Sequence, residues 1–182
     1  MAVEQTKKRF ELYGLNGYIT EADARKLPFH ENSYDMVYSW GVLHHSPRIE
    51  DSIDEIYRVL KPGGEVQLML YNKNSWWLLN HYLREWIVHM EHKFLTKLEF
   101  TSRYSDGWHK EGNPHTRFLT KKEVHTLLDR YINVKVSGTL VKSHGAFERM
   151  LPLIGRFIPK SYLKFVSEEF FGPFLWIKGQ KQ

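Results

Sequence analysis

Several features that would point to particular classes of protein are missing from this sequence. It has no cysteine, which excludes disulfide bonds and thiolate metal ligands or nucleophiles. No apolar run approaches the roughly 20 residues of a membrane-spanning helix, and residues 1–10 lack the apolar core of a signal peptide. The phosphate-cradling pattern G-x-G-x-x-G is also absent. The lack of cysteine, of a membrane-spanning run and of a signal peptide favours a cytoplasmic protein.

The composition is that of a globular domain. The 182 residues are 42% hydrophobic and 26% charged, enough apolar material for one core. The net charge is +5, but acidic residues are interspersed among the basic ones, so we expect no nucleic-acid partner.

The stretch from Glu21 to Tyr71 is the most informative. Apolar runs predict strands at Gly17–Ala22, Tyr34–Ser39 and Glu65–Tyr71, and the spacing of Ile53, Ile56 and Leu60 predicts a helix over Asp51–Leu60. Polar residues gather where the strands end, and open α/β sheets bind ligands at the carboxyl ends of their strands.

Other elements follow from periodicity and capping signals. The predictions are a helix over Ala2–Tyr13, a long helix from Trp76 through Phe94, a loop over Ser102–Pro114, a helix that begins after Thr120, and strands at Ile132–Val141 and Phe174–Lys178. Between the last two strands we expect a helical region broken by proline and glycine.

Four motifs in this chain occur in the order and spacing of a known family. They are Asp23-Ala24 with Leu27-Pro28-Phe29, Tyr34-Asp35-Met36-Val37, Val42-Leu43-His44-His45, and Arg58-Val59-Leu60-Lys61-Pro62-Gly63-Gly64. In these residues the chain resembles the class I S-adenosylmethionine-dependent methyltransferases of the small-molecule type. The resemblance implies an α/β, Rossmann-like methyltransferase sheet with S-adenosyl-L-methionine as cofactor.

The family's glycine loop, which follows its first strand, has no counterpart here. We therefore expect an N-terminally truncated fold in which the first two strands are missing. Tyr34–Ser39 would then lose a neighbour and expose a long apolar edge, through which the protein could form homo-oligomers. Gly17–Ala22 would either pair directly beside Tyr34–Ser39, or the first ~30 residues would pack irregularly.

The resemblance also assigns cofactor-binding residues. Asp23 would accept a hydrogen bond from the adenine amino group, beside the backbone of Ala24. Ser39, Trp40 and Gly41 would meet the methionine portion. The alternatives are that Asp23 only caps the next turn, and that Ser39–Gly41 is a plain strand-to-helix turn.

The adjacent histidines His44 and His45 suggest a metal site or a general base at first sight. Adjacent side chains point to different sides and chelate poorly, so we predict no metal. The family commonly has this pair, which implies that His44 lies near the cofactor and that His45 has a packing role. No catalytic residue is assigned, because methyl transfer to a nucleophilic acceptor needs mainly alignment and exclusion of water.

Aromatic and histidine residues further along could line an acceptor pocket, which would be mostly apolar. The candidates are Tyr71, Trp76, Tyr104, His109 and His115. Alternatively, the helix aromatics belong to the core and the loop residues cover it.

Three regions are thus expected along the chain. Residues 1–72 would form the cofactor-side core, 73–118 the acceptor side, and 119–182 the closing helix and strands. Leu151–Ile177 could touch a membrane surface, although a lid or dimer contact is favoured.

Two functions are expected for the chain. The first is methylation of a small-molecule, lipid or sugar acceptor. The alternative is a non-catalytic remnant, or a partner-dependent fragment, that does not bind the donor by itself.

Overall fold

A computed structural model describes residues 2–105, 115–139 and 171–182. The helices are α1 (Ala2–Leu12), α2 (Ile49–Val59), α3 (Trp76–His81), α4 (Lys97–Ser105) and α5 (Lys121–Leu127). The strands are β1 (Tyr34–Trp40), β2 (Leu60–Tyr71), β3 (Tyr131–Thr139) and β4 (Phe174–Lys181). The predicted helical region between β3 and β4 lies outside the described residues.

The described strands form one mixed sheet in the order β1-β2-β4-β3. β1 runs parallel to β2, whereas β4 is antiparallel to both β2 and β3. The helix α2 connects the two parallel strands, as a parallel pair requires. The predicted α/β class is confirmed, and β2 is an inner strand with a neighbour on each side.

The core lies on one face of this sheet. Val66, Leu68 and Leu70 alternate along β2 and are fully buried, because alternate side chains of a strand share a face. They pack with Ile53 of α2 and Val124 of α5 in one cluster. The periodicity that predicted α2 thus marks the face that this helix buries.

β1 is an edge strand of the described sheet. Its alternate residues Met36, Tyr38 and Trp40 are exposed apolar side chains, and Trp40 lies 5.4 Å from the ring of Trp176 in β4. The expectation of an exposed apolar edge is confirmed for this part of the chain. Association of two copies along it stays a prediction.

Residues 14–33 contain no strand. The predicted strand Gly17–Ala22 is wrong, and the irregular packing given as the alternative is what occurs. α2 holds the segment instead: Arg58 donates to the carbonyl oxygens of Leu27 (3.2 Å) and Phe29 (2.9 Å), and Glu55 accepts from the Leu27 amide (2.8 Å). These side chains satisfy backbone groups that a β-ladder would otherwise pair.

The long helix predicted from Trp76 through Phe94 is broken. α3 continues as a π-helix over Tyr82–Val88, Met90 adopts a left-handed conformation with φ of 58°, and a 3₁₀ turn follows at Glu91–Lys93. The loop predicted over Ser102–Pro114 is wrong at its start, since α4 extends to Ser105.

The start of α3 and the helix after Thr120 are confirmed. The Ser75 hydroxyl caps α3 by accepting from the Leu78 amide, and Thr120 and Glu123 form a capping box at α5. Among the described residues, no helix has both the length and the apolar character needed to cross a membrane.

Replacement of a buried sheet residue should be far costlier than the same replacement at an exposed one. Ile177 is fully buried in β4, whereas Ile132 of the neighbouring β3 is exposed. We expect Ile177→Ala to lower the free energy of unfolding by about 2–5 kcal/mol, through lost burial and the cavity left behind. Ile132→Ala should cost well under half of that. Urea unfolding measures both, and equal losses would contradict this core.

Candidate functional site

The carboxyl ends of the parallel strands β1 and β2 lie side by side. In their register, Ser39 is opposite Leu68, and the exposed Trp40 is opposite Met69. The chain then turns at Gly41, whose φ of 71° is in the left-handed region that residues with a Cβ rarely adopt. The predicted residues Ser39 and Trp40 therefore end β1, and Gly41 begins a turn at the edge where α/β folds bind ligands.

His44 lies in the 3₁₀ turn Leu43–His45 and is completely buried. Its ring stacks on Tyr71, the last residue of β2, with 3.9 Å between centroids. Neither ring nitrogen has a hydrogen-bond partner within the described residues. Burial, with a smaller effect of His45, lowers the pKa of His44 to about 3, so the imidazole is neutral at pH 7.

His45 connects this turn to the segment 115–119, named here the strap. Its Nδ1 lies 3.1 Å from the His115 carbonyl oxygen and 3.2 Å from the Thr116 hydroxyl. The strap also binds through its backbone, since the Arg117 amide donates to the His44 carbonyl (2.9 Å) and the Leu119 amide to that of Tyr71 (2.9 Å). His115 thus contributes its backbone here, while its side chain is exposed.

Sequence reasoning missed most of the strap. Only His115 was singled out there, yet Thr116 and Phe118 are buried against the strand ends. The strap lies beside β2 through a parallel bridge between Asn72 and Leu119. The apolar pair Phe118-Leu119 directly before the Thr120 cap was the available signal.

A row of aromatic rings extends from Tyr71 to Tyr104. The ring centroids are 5.2 Å apart between Tyr71 and Phe118 and 6.1 Å apart between Phe118 and Trp77. The row continues with 4.6 Å between Trp77 and His81 and 5.1 Å between His81 and Tyr104. The Tyr104 hydroxyl donates to Glu91 (2.8 Å), and burial, with this carboxylate, raises the pKa of Tyr104 to about 12. Two of the predicted acceptor-side residues are thereby connected through packed rings.

Trp76 does not belong to this row. Trp76 packs against Phe171, with 5.4 Å between ring centroids, and its amide donates to the Phe171 carbonyl. His109 lies outside the described residues.

Asp23 is bound by a neighbour in sequence. Its carboxylate accepts from the backbone amide of Arg25 (2.9 Å) and from the guanidinium (2.7 Å), and these hydrogen bonds lower its pKa to about 2. This is the turn that was given as the alternative for Asp23, and half of the side chain is still exposed. Ala24 packs against the main core, so the turn is anchored. Binding of adenine by the pair stays a prediction.

Comparison with known proteins agrees with the sequence motifs. A family model described as a methyltransferase domain matches residues 1–68, which include α1, the Asp23 turn, β1 and Gly41. Over these residues the chain is similar to methyltransferase domains, as its sequence motifs predict. The described sheet corresponds to the C-terminal part of the fold of solved methyltransferases.

Individual relatives share only part of their length with this chain. Sterol 24-C-methyltransferase of Pneumocystis carinii is 39% identical over 82 residues, which are 44% of this chain and 20% of the relative. A ubiquinone/menaquinone biosynthesis C-methyltransferase of Bartonella bacilliformis is 33% identical over 85 residues, 46% of this chain and 33% of the relative. The chain therefore spans between a fifth and a third of the length of these curated relatives.

Solved methyltransferase structures have the same fold. One from Thermotoga maritima, described as a possible histamine N-methyltransferase, superposes with a TM-score of 0.59 at 19% identity. The match covers 98% of this chain and 70% of that one. At a sequence identity of 19%, the similarity between the two chains concerns their fold alone.

The buried His44 should make stability depend on pH. The unfolded chain binds a proton on this imidazole near pH 6.5, whereas the folded chain does so only near pH 3. Stability should therefore fall as the pH falls through this window, by at most about 1.4 kcal/mol per unit. In His44→Phe this contribution should vanish. At pH 7.5 the variant should stay within about 1 kcal/mol of the wild type, because the ring shape is kept and two unpaired polar atoms are removed.

Urea unfolding between pH 7.5 and pH 4.5 tests this expectation. His30→Phe is the control, since it replaces an exposed imidazole in the same chain and should keep the wild-type pH dependence. Parallel pH profiles for wild type and His44→Phe would overturn the assignment.

Proposed function

We propose that this chain binds S-adenosyl-L-methionine at the carboxyl ends of β1 and β2 and takes part in transfer of its methyl group to a small-molecule acceptor. The observation that carries the proposal is the family match over residues 1–68, which ends beyond the Gly41 turn and within β2. This is the edge at which α/β sheets bind cofactors.

The described residues fit part of the donor. The Asp23 carboxylate is half exposed and keeps acceptor capacity beyond its bonds to Arg25, so it can receive the adenine amino group. At Gly41 the absent Cβ leaves backbone open to close approach, and the neighbouring Trp40 is exposed. When bound, the donor supplies an electrophilic methyl group on a sulfonium, and the protein has to hold both reactants in line and exclude water.

The acceptor we propose has an apolar ring or chain. The support is the packed aromatic group at the end of β2, in which Met69, Tyr71 and Phe118 contact Trp77 and Trp176. Pockets for organic molecules are mostly apolar with a few polar groups. Relatives named for sterols and for ubiquinone or menaquinone are consistent with such an acceptor.

A second function is favoured by one contact. Arg25 already neutralises the Asp23 carboxylate, and this would compete with an incoming adenine. A chain in which that pair persisted would be a non-catalytic member of the family that binds no donor by itself.

Donor binding separates the two functions and tests the Gly41 turn. We expect isothermal titration calorimetry to show micromolar binding of S-adenosyl-L-methionine by this chain. Gly41→Val should weaken it by about tenfold or more, because a β-branched residue resists the positive φ of this position. The turn should therefore shift.

Gly63→Val is the matched control. Gly63 also has a positive φ, 76°, but lies near the amino end of β2, away from the proposed site. Its replacement should cost similar stability and leave donor affinity within about twofold of wild type. Absence of donor binding by the folded wild-type chain would establish the non-catalytic alternative for this chain.

The acceptor class needs its own experiment. An extract incubated with the chain and methyl-labelled donor should yield a labelled product that partitions into an organic phase and is identified by mass spectrometry. Label confined to water-soluble sugars or acids would contradict an apolar acceptor without affecting the donor site.

A further inference from the structure

A series of exposed apolar side chains follows the strand-end region in sequence, and no step of the proposed methyl transfer uses it. We name it the apolar ridge. Its members are Leu79, Leu83, Ile87, Val88, Met90, Phe94 and Leu98. All are at least 42% exposed, and Phe94 reaches 82%. Isolated exposed apolar residues are ordinary, but seven within one stretch of 20 residues call for a partner.

The break in the helix keeps part of the ridge aligned. Leu79, Leu83 and Ile87 are spaced by four residues along α3 and the π-helix that continues it. Residues four apart share a face of a helix. The wider π turn, in which the His89 amide donates to the Arg84 carbonyl (3.0 Å), offsets the drift that an α-helix accumulates over two such steps. π turns of this kind often occur at functional sites.

Between Leu79 and Leu98 the two carboxylates are covered, whereas the two lysines are exposed. Glu85 is buried and binds Arg84 and His89, whereas Glu91 is largely covered and accepts from Tyr104. Lys93 and Lys97 are exposed and flank Phe94. The negative groups between Leu79 and Leu98 are thus turned inward, and the lysines stand beside exposed apolar side chains.

We propose that the apolar ridge docks onto a lipid bilayer that carries anionic headgroups. Its apolar side chains would enter the boundary of the acyl chains, while Lys93 and Lys97 would contact the headgroups. Interfacial amphipathic helices bind membranes in this way. A second copy of the chain fits less well, because the ridge of that copy is apolar and would offer Lys93 and Lys97 no acidic partner. The proposal does not depend on donor binding or methyl transfer.

Vesicle co-sedimentation of the whole chain tests the ridge. We expect binding to vesicles of phosphatidylcholine with phosphatidylglycerol, and weaker binding to phosphatidylcholine alone or at high salt. Leu83→Ser with Phe94→Ser should reduce the partition coefficient by about tenfold or more. Leu12→Ser with Tyr18→Ser removes two apolar side chains outside the ridge that are at least as exposed, and it should change the partition coefficient less than twofold.

A third variant and two further measurements make the result decisive. Lys93→Gln with Lys97→Gln should remove most of the preference for anionic vesicles while leaving circular dichroism unchanged. Failure of the folded wild type to bind either vesicle, or an equal loss in the Leu12/Tyr18 variant, would overturn the proposal. So would light scattering that shows a wild-type dimer which Leu83→Ser with Phe94→Ser dissociates, since a second copy would then cover the ridge.

Discussion

The position of β2 between β1 and β4 is the constraint on which the rest of the described structure depends. Its backbone is hydrogen-bonded on both sides, in parallel to β1 and in antiparallel to β4. One face of it buries Val66, Leu68 and Leu70 against α2 and α5. Its last residue, Tyr71, meets His44 and Phe118. A displacement of β2 would therefore disturb the core and the candidate site together.

Side-chain hydrogen bonds from α2 hold the segment that precedes β1. Among the described residues, the segment before β1 has no ladder partner, and the pair Glu55 and Arg58 on α2 fixes it through backbone contacts at Leu27 and Phe29. This pair sets the position of the Asp23 turn relative to α2. Because both residues lie on a helix anchored in the core, the turn is held by the fold and does not rely on its own short-range bonds alone.

Sequence reasoning succeeded where a local rule decides the structure. The capping box at Thr120 and the apolar period of α2 each depend on contacts within a few residues, and both helices form within two residues of the predicted bounds. It failed where distant groups compete for the same backbone. Gly17–Ala22 has the composition of a strand but no ladder partner among the described residues. The helix after Trp76 changes to a π-helix around the buried Glu85, whose partner His89 lies one turn further on.

The candidate site shows the same division. The motifs from Asp23 to Gly64 indicated the resemblance to methyltransferases and the strand ends proposed to bind a cofactor, because backbone-controlled features such as the Gly41 turn are visible in the local sequence. Only the tertiary structure decided that His44 is sealed beneath Tyr71, that the strap covers the strand ends, and that the apolar ridge stays exposed. These outcomes depend on packing between residues far apart in the chain, and the burial of a side chain is a property of all its neighbours together.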